Sequence, residues 1–116
     1  MRRPISRTGH GIVDYTVAAI EGALARTLPA SPGVQRLLGL SAANALLLAL
    51  LTRYELGLVK VLPMRAHLVL DGIFAATFLA APLAADEHDP RSVRVALAAL
   101  GAAGAATALL TDPDRA

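Results

Sequence analysis

The chain contains no cysteine and no tryptophan. Without thiols there is no disulfide framework, no thiolate zinc site and no cysteine nucleophile. Aromatic residues make up only 3% of the 116 positions, too few for the base-stacking platform of a single-strand binder. Charged residues are scarce at 17%, and the formal net charge is +2. Basic residues this dispersed do not form the clustered face that nucleic acid requires. Ser6, Ser31, Ser41 and Ser92 have no histidine at a useful spacing, so no nucleophile–base pair stands out. Gly9-x-Gly11 precedes a helical pattern with nothing strand-like around it, which excludes a phosphate-cradling loop. The expectation from these absences is a protein that is not an enzyme, carries no cofactor and binds no nucleic acid.

Apolar residues are abundant. They account for 55% of the chain, and mean hydropathy is +0.55. A soluble domain of this length needs more charge to cover its surface. Four apolar segments run from about Gly9 to Leu28, Val34 to Thr52, His67 to Ala85 and Val93 to Thr111. Pro29-Ala30-Ser31-Pro32-Gly33 separates the first two as turn chemistry, because two prolines and a glycine cannot continue a helix. Asp86-Glu87-His88-Asp89-Pro90 separates the last two. This acidic run reads as a solvated turn, with weak cation binding as the alternative.

Leu37–Thr52 and Val95–Thr111 contain no charge at all. A helix with no polar face is buried in protein or in lipid, and four such helices in a chain this short cannot all be covered by protein. Each segment approaches the ~20 residues that cross a bilayer. Gly101-xxx-Ala105 and Gly104-xxx-Ala108 in the fourth are small-xxx-small pairs, which allow close helix approach in lipid. The pattern predicts an all-α, integral membrane four-helix bundle in a single transmembrane domain over 1–116, with the lipid bilayer as its first partner. Self-association or a second membrane protein would be its protein partner.

Met1-Arg2-Arg3-Pro4-Ile5-Ser6-Arg7 reads as a cytoplasmic flank rather than a signal peptide, since His10, Asp14 and Glu21 interrupt the apolar stretch that follows. With both termini on one side, Arg2, Arg3, Arg7, Arg53, Lys60, Arg65 and Arg115 share that side, against Arg26, Arg36, Arg91 and Arg94 on the other. The excess predicts cytoplasmic termini. The connector 53–65 is too charged to span and too apolar for a solvated loop. It reads as interfacial, with Tyr54 at headgroup level, or as an irregular loop folded over the bundle end.

Two copies of one short pattern open the first and third segments: Gly9-His10-x-x-x-Asp14 and Ala66-His67-x-x-x-Asp71. Both the histidine and the aspartate recur 57 positions on. Leu50-Leu51-Thr52 and Leu109-Leu110-Thr111 close the second and fourth segments. The halves, about 9–52 and 66–111, therefore read as two parallel two-helix repeats about an axis along the membrane normal.

In each pair the His and Asp are four residues apart and share a helix face. Facing pairs would gather two imidazoles and two carboxylates, a donor set suited to zinc, iron or manganese or to a proton relay. The simpler reading is structural: a carboxylate in a first helical turn is favourable there, and each histidine hydrogen-bonds its own aspartate or a neighbouring helix. Glu21 lies on the Asp14 face, ~10 Å deeper at 1.5 Å per residue. An ionised carboxylate at that depth is costly unless partnered. Asn44 and Thr107 are its candidate partners, and position 78, its equivalent in the second half, is a phenylalanine.

Asp14 and Asp71 inside first helices, Gly22 and Gly72, and Ala81-Pro82-Leu83 and Leu28-Pro29-Ala30 at the helix ends give the chain a resemblance to small bacterial membrane proteins of the SPW-repeat type. The Ser-Pro-Trp motif itself is degenerate here. The layout is more loosely similar to DoxX-type proteins. The SPW resemblance implies a membrane-embedded helical bundle and brings no established activity. The expected role, with the bacterial setting that the resemblance implies, is a structural or interaction component of the bacterial inner membrane. The alternative is proton, ion or metal handling through His10, Asp14, Glu21, His67 and Asp71.

Overall fold

The computed structural model describes residues 2–116, which form four α-helices: α1 Arg7–Thr27, α2 Pro32–Leu51, α3 Met64–Ala84 and α4 Arg91–Leu110. Each is 20 or 21 residues long, which is about 30 Å and the thickness of a bilayer core. α2, α3 and α4 are long and apolar enough to cross a membrane, and at most 28% of any of their apolar windows is buried inside the protein. Leu40, Leu109 and Leu83 point outward, Leu83 with 91% of its surface exposed. α1, which carries His10, Asp14, Glu21 and Arg26, does not meet the same standard. The sequence expectation of four comparable spans therefore holds for three helices; ionisable groups interrupt the fourth.

The helix boundaries follow from local chemistry. Ser6 caps α1 by accepting from the Gly9 amide at 3.1 Å. Proline opens α2 at its first position, where a missing N–H costs nothing. Ser31 precedes it as N-cap but makes no side-chain cap bond, because its hydroxyl is committed elsewhere. Pro82 sits inside α3 near its end, and Arg94 donates to the Pro82 and Asp86 carbonyls, giving the frayed end of that helix a partner.

α1 packs closely on α2, and α3 on α4. The second hairpin is the tighter at its centre. A Cβ on Gly101 would stand 2.8 Å from the Leu79 backbone nitrogen and 3.0 Å from the Ala75 carbonyl oxygen, so only glycine fits. The small-residue stripe of α4 is thus a helix interface at Gly101. Between the hairpins, Val34 and Leu38 of α2 meet Phe78 of α3 and Val93 and Leu97 of α4 in one apolar cluster.

Both interhelical loops lie at one end of the bundle and are clasped there. Asp89 accepts from the Ser31 amide at 2.7 Å and from the Ser31 hydroxyl at 2.6 Å. At the other end lie the two termini and the connector. Ile5 and Leu110 share a backbone bond at 3.0 Å, and Leu62 and Leu51 share one at 2.8 Å. Arg7 pairs with Glu55 at 2.7 Å across the same end. The connector turns back on itself so tightly that a Cβ on Gly57 would collide with the Thr52 carbonyl.

Gly101→Val will lower the stability of the detergent-solubilised protein by about 1–3 kcal/mol through overpacking, read as a drop in thermal midpoint, whereas Gly33→Ala, with open space around it, will not. The Ser31 hydroxyl, then its amide, hold the Asp89 carboxyl below the usual aspartate range. A depressed carboxyl contributes stability above its unfolded value and loses it as pH falls through the folded one. The gap in thermal midpoint between wild type and Asp89→Asn will therefore be constant above about pH 4 and close in stronger acid.

Candidate functional site

The N-terminal parts of α1 and α3 meet at the terminal end and bring their two short motifs together. Asp14 and Asp71 are each the eighth residue of their helix, past the first turn in which the sequence reading places them. His10 is fully buried and His67 is 1% exposed. Their Nε2 atoms face each other at 3.3 Å, with the rings edge to face. His10 Nε2 stands 3.1 Å from Asp14 Oδ1 and 2.9 Å from Asp71 Oδ2. His67 Nε2 stands 3.2 Å from Asp14 Oδ2 and 3.2 Å from Asp71 Oδ2. Each imidazole therefore faces both its own aspartate and that of the opposite helix. One donor atom from each of the four residues falls within 4.8 Å of all the others.

The outer face of each imidazole is fixed as firmly as the inner one. Thr52 ends α2 and Thr111 ends α4, both fully buried. The Thr52 hydroxyl donates its proton to the Leu48 carbonyl, and that of Thr111 to the Thr107 carbonyl. A hydroxyl has one proton. Each threonine oxygen can then only accept from its histidine: Nδ1–H of His67 donates to Thr52 Oγ1 at 2.6 Å, and Nδ1–H of His10 donates to Thr111 Oγ1 at 2.7 Å. With Nδ1 protonated, the neutral ring carries its lone pair on Nε2, directed into the carboxylates. This is how an outer hydrogen bond sets the tautomer of a metal-ligating histidine.

Tyr54 completes the surroundings of the cluster. Its hydroxyl donates to Asp14 Oδ2 at 2.8 Å, and its ring lies 5.8 Å from that of His67. The residue is 2% exposed, so its ring faces the protein interior, packed with Ala49 and Met64. Burial first, and the Asp14 charge second, push its phenol up, so it stays a donor throughout the working pH range. The apolar side chains that the connector does expose are Leu58, Val59 and Val61.

Of the residues singled out in the sequence, His10, Asp14, His67 and Asp71 converge; Glu21 stands apart from them, deeper in the bundle. Ser41 hydrogen-bonds its carboxyl, whereas Asn44 and Thr107 line the same cavity, with the Thr107 hydroxyl returned to its own helix at Ala103. The acidic loop does not converge on a cation position: Asp89 turns inward to Ser31, and Asp86 accepts from the His88 amide at 2.9 Å. Sequence reasoning missed Thr52, Thr111, Tyr54 and Ser41 as site residues. The recurring Leu-Leu-Thr ends carried a signal for the threonines. Nothing local marked Tyr54 or Ser41.

No protein-family model, no curated protein and no solved structure matches the chain.

Nitrogen NMR of histidine-labelled protein will show a proton on Nδ1 of both buried rings. Thr111→Val will release that of His10 alone, and Thr52→Val that of His67 alone. Finding Nδ1 unprotonated in the wild type would contradict the assigned hydrogen-bond directions.

Proposed function

We propose that this chain is a small, multi-pass membrane protein that holds one divalent transition-metal ion between α1 and α3, through His10, Asp14, His67 and Asp71. The observation that carries this reading is the convergence of two imidazole nitrogens, each with its outer nitrogen tied to a buried threonine, on two carboxylates. Donors 2.0–2.2 Å from an ion stand about 3.3–3.6 Å apart around a tetrahedral centre and about 2.8–3.1 Å apart around an octahedral one. The nitrogens stand 3.3 Å apart and 2.9–3.2 Å from the facing carboxylate oxygens, Asp14 turning Oδ1 to His10 and Oδ2 to His67. One donor from each residue keeps the set within 4.8 Å, so a bound ion would draw the carboxylates in. Nitrogen and carboxylate donors without sulfur suit zinc, iron(II) or manganese(II). Two carboxylates balance the ion's charge, which matters in a buried site.

The bundle is a duplicated hairpin in this reading. Its support is the recurrence of buried positions: Val34, Leu38 and Ala49 of α2 reappear as Val93, Leu97 and Ala108 of α4, each 59 residues on. Thr52 and Thr111 share that spacing, and His10 and His67 differ by 57. The metal would lie on the pseudo-twofold axis, one His-x-x-x-Asp from each copy. The role is binding and structural rather than catalytic: the ion fastens the hairpins together at the terminal end. We place that end in the bacterial cytoplasm, on the excess of Lys and Arg there.

A purely structural reading shares the same contacts, with protonated imidazoles donating to both aspartates. Elemental analysis of protein purified without an affinity tag separates the two. Metal binding is expected to give close to one zinc, iron or manganese per chain, lost in both His10→Ala and His67→Ala. Stripping the ion with a chelator will lower the thermal midpoint, since a ligand at 100 times its Kd contributes about 2.7 kcal/mol. Metal-free protein whose midpoint ignores both chelator and added ions would leave only the structural reading.

A further inference from the structure

A cavity of about 80 Å³ lies between the hairpins, beneath the His/Asp cluster. It starts at Asp14 and Asp71 and reaches Phe78 and Leu100. Beyond it the cluster of Val34, Leu38, Phe78, Val93 and Leu97 closes the loop end of the bundle. The cavity is thus closed toward the loop end but not sealed, since part of its wall opens to the outside. Much of its wall is aliphatic or aromatic, but Glu21, Ser41, Asn44 and Thr107 bring oxygen atoms to it.

Glu21 is 4% exposed, and its buried Oε2 has no hydrogen-bond partner. A carboxyl oxygen left so in the interior costs several kcal/mol. Asp14 and Asp71 have counter-charges in the two histidines when these are protonated, or in the ion when a metal is bound. Among the described residues no lysine, arginine or histidine pairs with Glu21, whose one polar partner is Ser41.

The duplicated pattern adds a second, independent observation. At the spacings of 57 and 59, the equivalents of Glu21, Ser41 and Asn44 are Phe78, Leu100 and Ala103, and the equivalent of Thr107 is Leu48. These four oxygen-bearing residues, unlike Asp14 and Asp71 at the start of the chamber, therefore stand where the other copy has an apolar side chain. The hairpin fold does not require them, yet they gather on one cavity.

We propose that Glu21, Ser41, Asn44 and Thr107 form an interior binding site for a monovalent alkali cation. A donor set of oxygens alone selects a hard cation. One carboxylate neutralises one positive charge, whereas a divalent ion would leave the chamber with a net charge. The chamber has room for the ion with two water molecules to complete its shell, at about 30 Å³ of liquid volume each. Such an ion supplies the partner that Oε2 lacks.

The site does not depend on a metal at the His/Asp cluster, and the test keeps the two separate. Purified protein in choline chloride is dialysed against radiolabelled sodium or potassium, and its metal content is measured on the same sample. The wild type is expected to retain the alkali ion saturably. Glu21→Gln will weaken that retention by about tenfold or more, with unchanged transition-metal content. Asn44→Ala, which removes a neutral oxygen and no charge, will weaken it less and serves if the Gln variant does not fold. Infrared spectra of the wild type give a second reading. An ionised carboxylate band that shifts with sodium or potassium supports the proposal. No saturable alkali binding, together with a protonated-carboxyl band that is absent from Glu21→Gln, would overturn it and identify the partner of Oε2 as a proton.

Discussion

Two threonine hydroxyls at the ends of α2 and α4 hold the organisation of the terminal end. Each gives its only proton to a carbonyl of its own helix, at Leu48 or Thr107, and is thereby left as an acceptor. That single commitment keeps a hydrogen on Nδ1 of His10 and of His67. It also turns both Nε2 atoms toward Asp14 and Asp71. A donor at that position in place of an acceptor would reverse both rings electronically. The backbone pairs Ile5–Leu110 and Leu62–Leu51 keep the chain extended beside each threonine, so the hydroxyls are placed by main-chain geometry rather than by loop packing.

Around that end, the fold solves a solvation problem with few charged groups. Three helices leave most of their apolar surface outside the protein, where lipid rather than water is the suitable neighbour. His10 and Asp14 of α1 and His67 and Asp71 of α3 are instead directed inward, toward one another. Of the eleven Lys and Arg residues, those with partners reach carboxylates or carbonyls at the two ends, as Arg7 does with Glu55 and Arg94 with Pro82. The interior is left acidic and histidine-rich, and the two ends basic.

Much of this was legible in the sequence. Uncharged runs marked α2 and α4, and Pro29, Pro32 and Pro90 bracketed the loops, because proline and charge act locally. The His-x-x-x-Asp pairs were legible as one-face pairs because helical periodicity is fixed. Their convergence depended on how α1 and α3 dock, which spacing alone does not encode. Leu-Leu-Thr was visible as a recurring helix end, but a threonine in a C-cap is common, and its histidine partner is distant in sequence. Tyr54 illustrates another case: an aromatic in a charged connector reads as a membrane-surface anchor by composition, and nothing in its neighbours along the chain announces that its ring packs on Ala49 and Met64 and its hydroxyl reaches Asp14. Glu21 was rightly marked as deep, yet its partner is Ser41. A serine one turn from Asn44 on α2 gives no stronger sequence signal than Asn44 itself.

The hairpins are joined at both extremities. Ser31 and Asp89 tie them at the loops, and the paired imidazoles and aspartates tie them at the termini. Neither extremity is left free as a pivot, so scissor-like opening is denied to this bundle. Widening the hollow beside the Glu21 carboxyl would therefore require the helix midsections to bow apart while both tips stay fixed, like two staves bound at their ends.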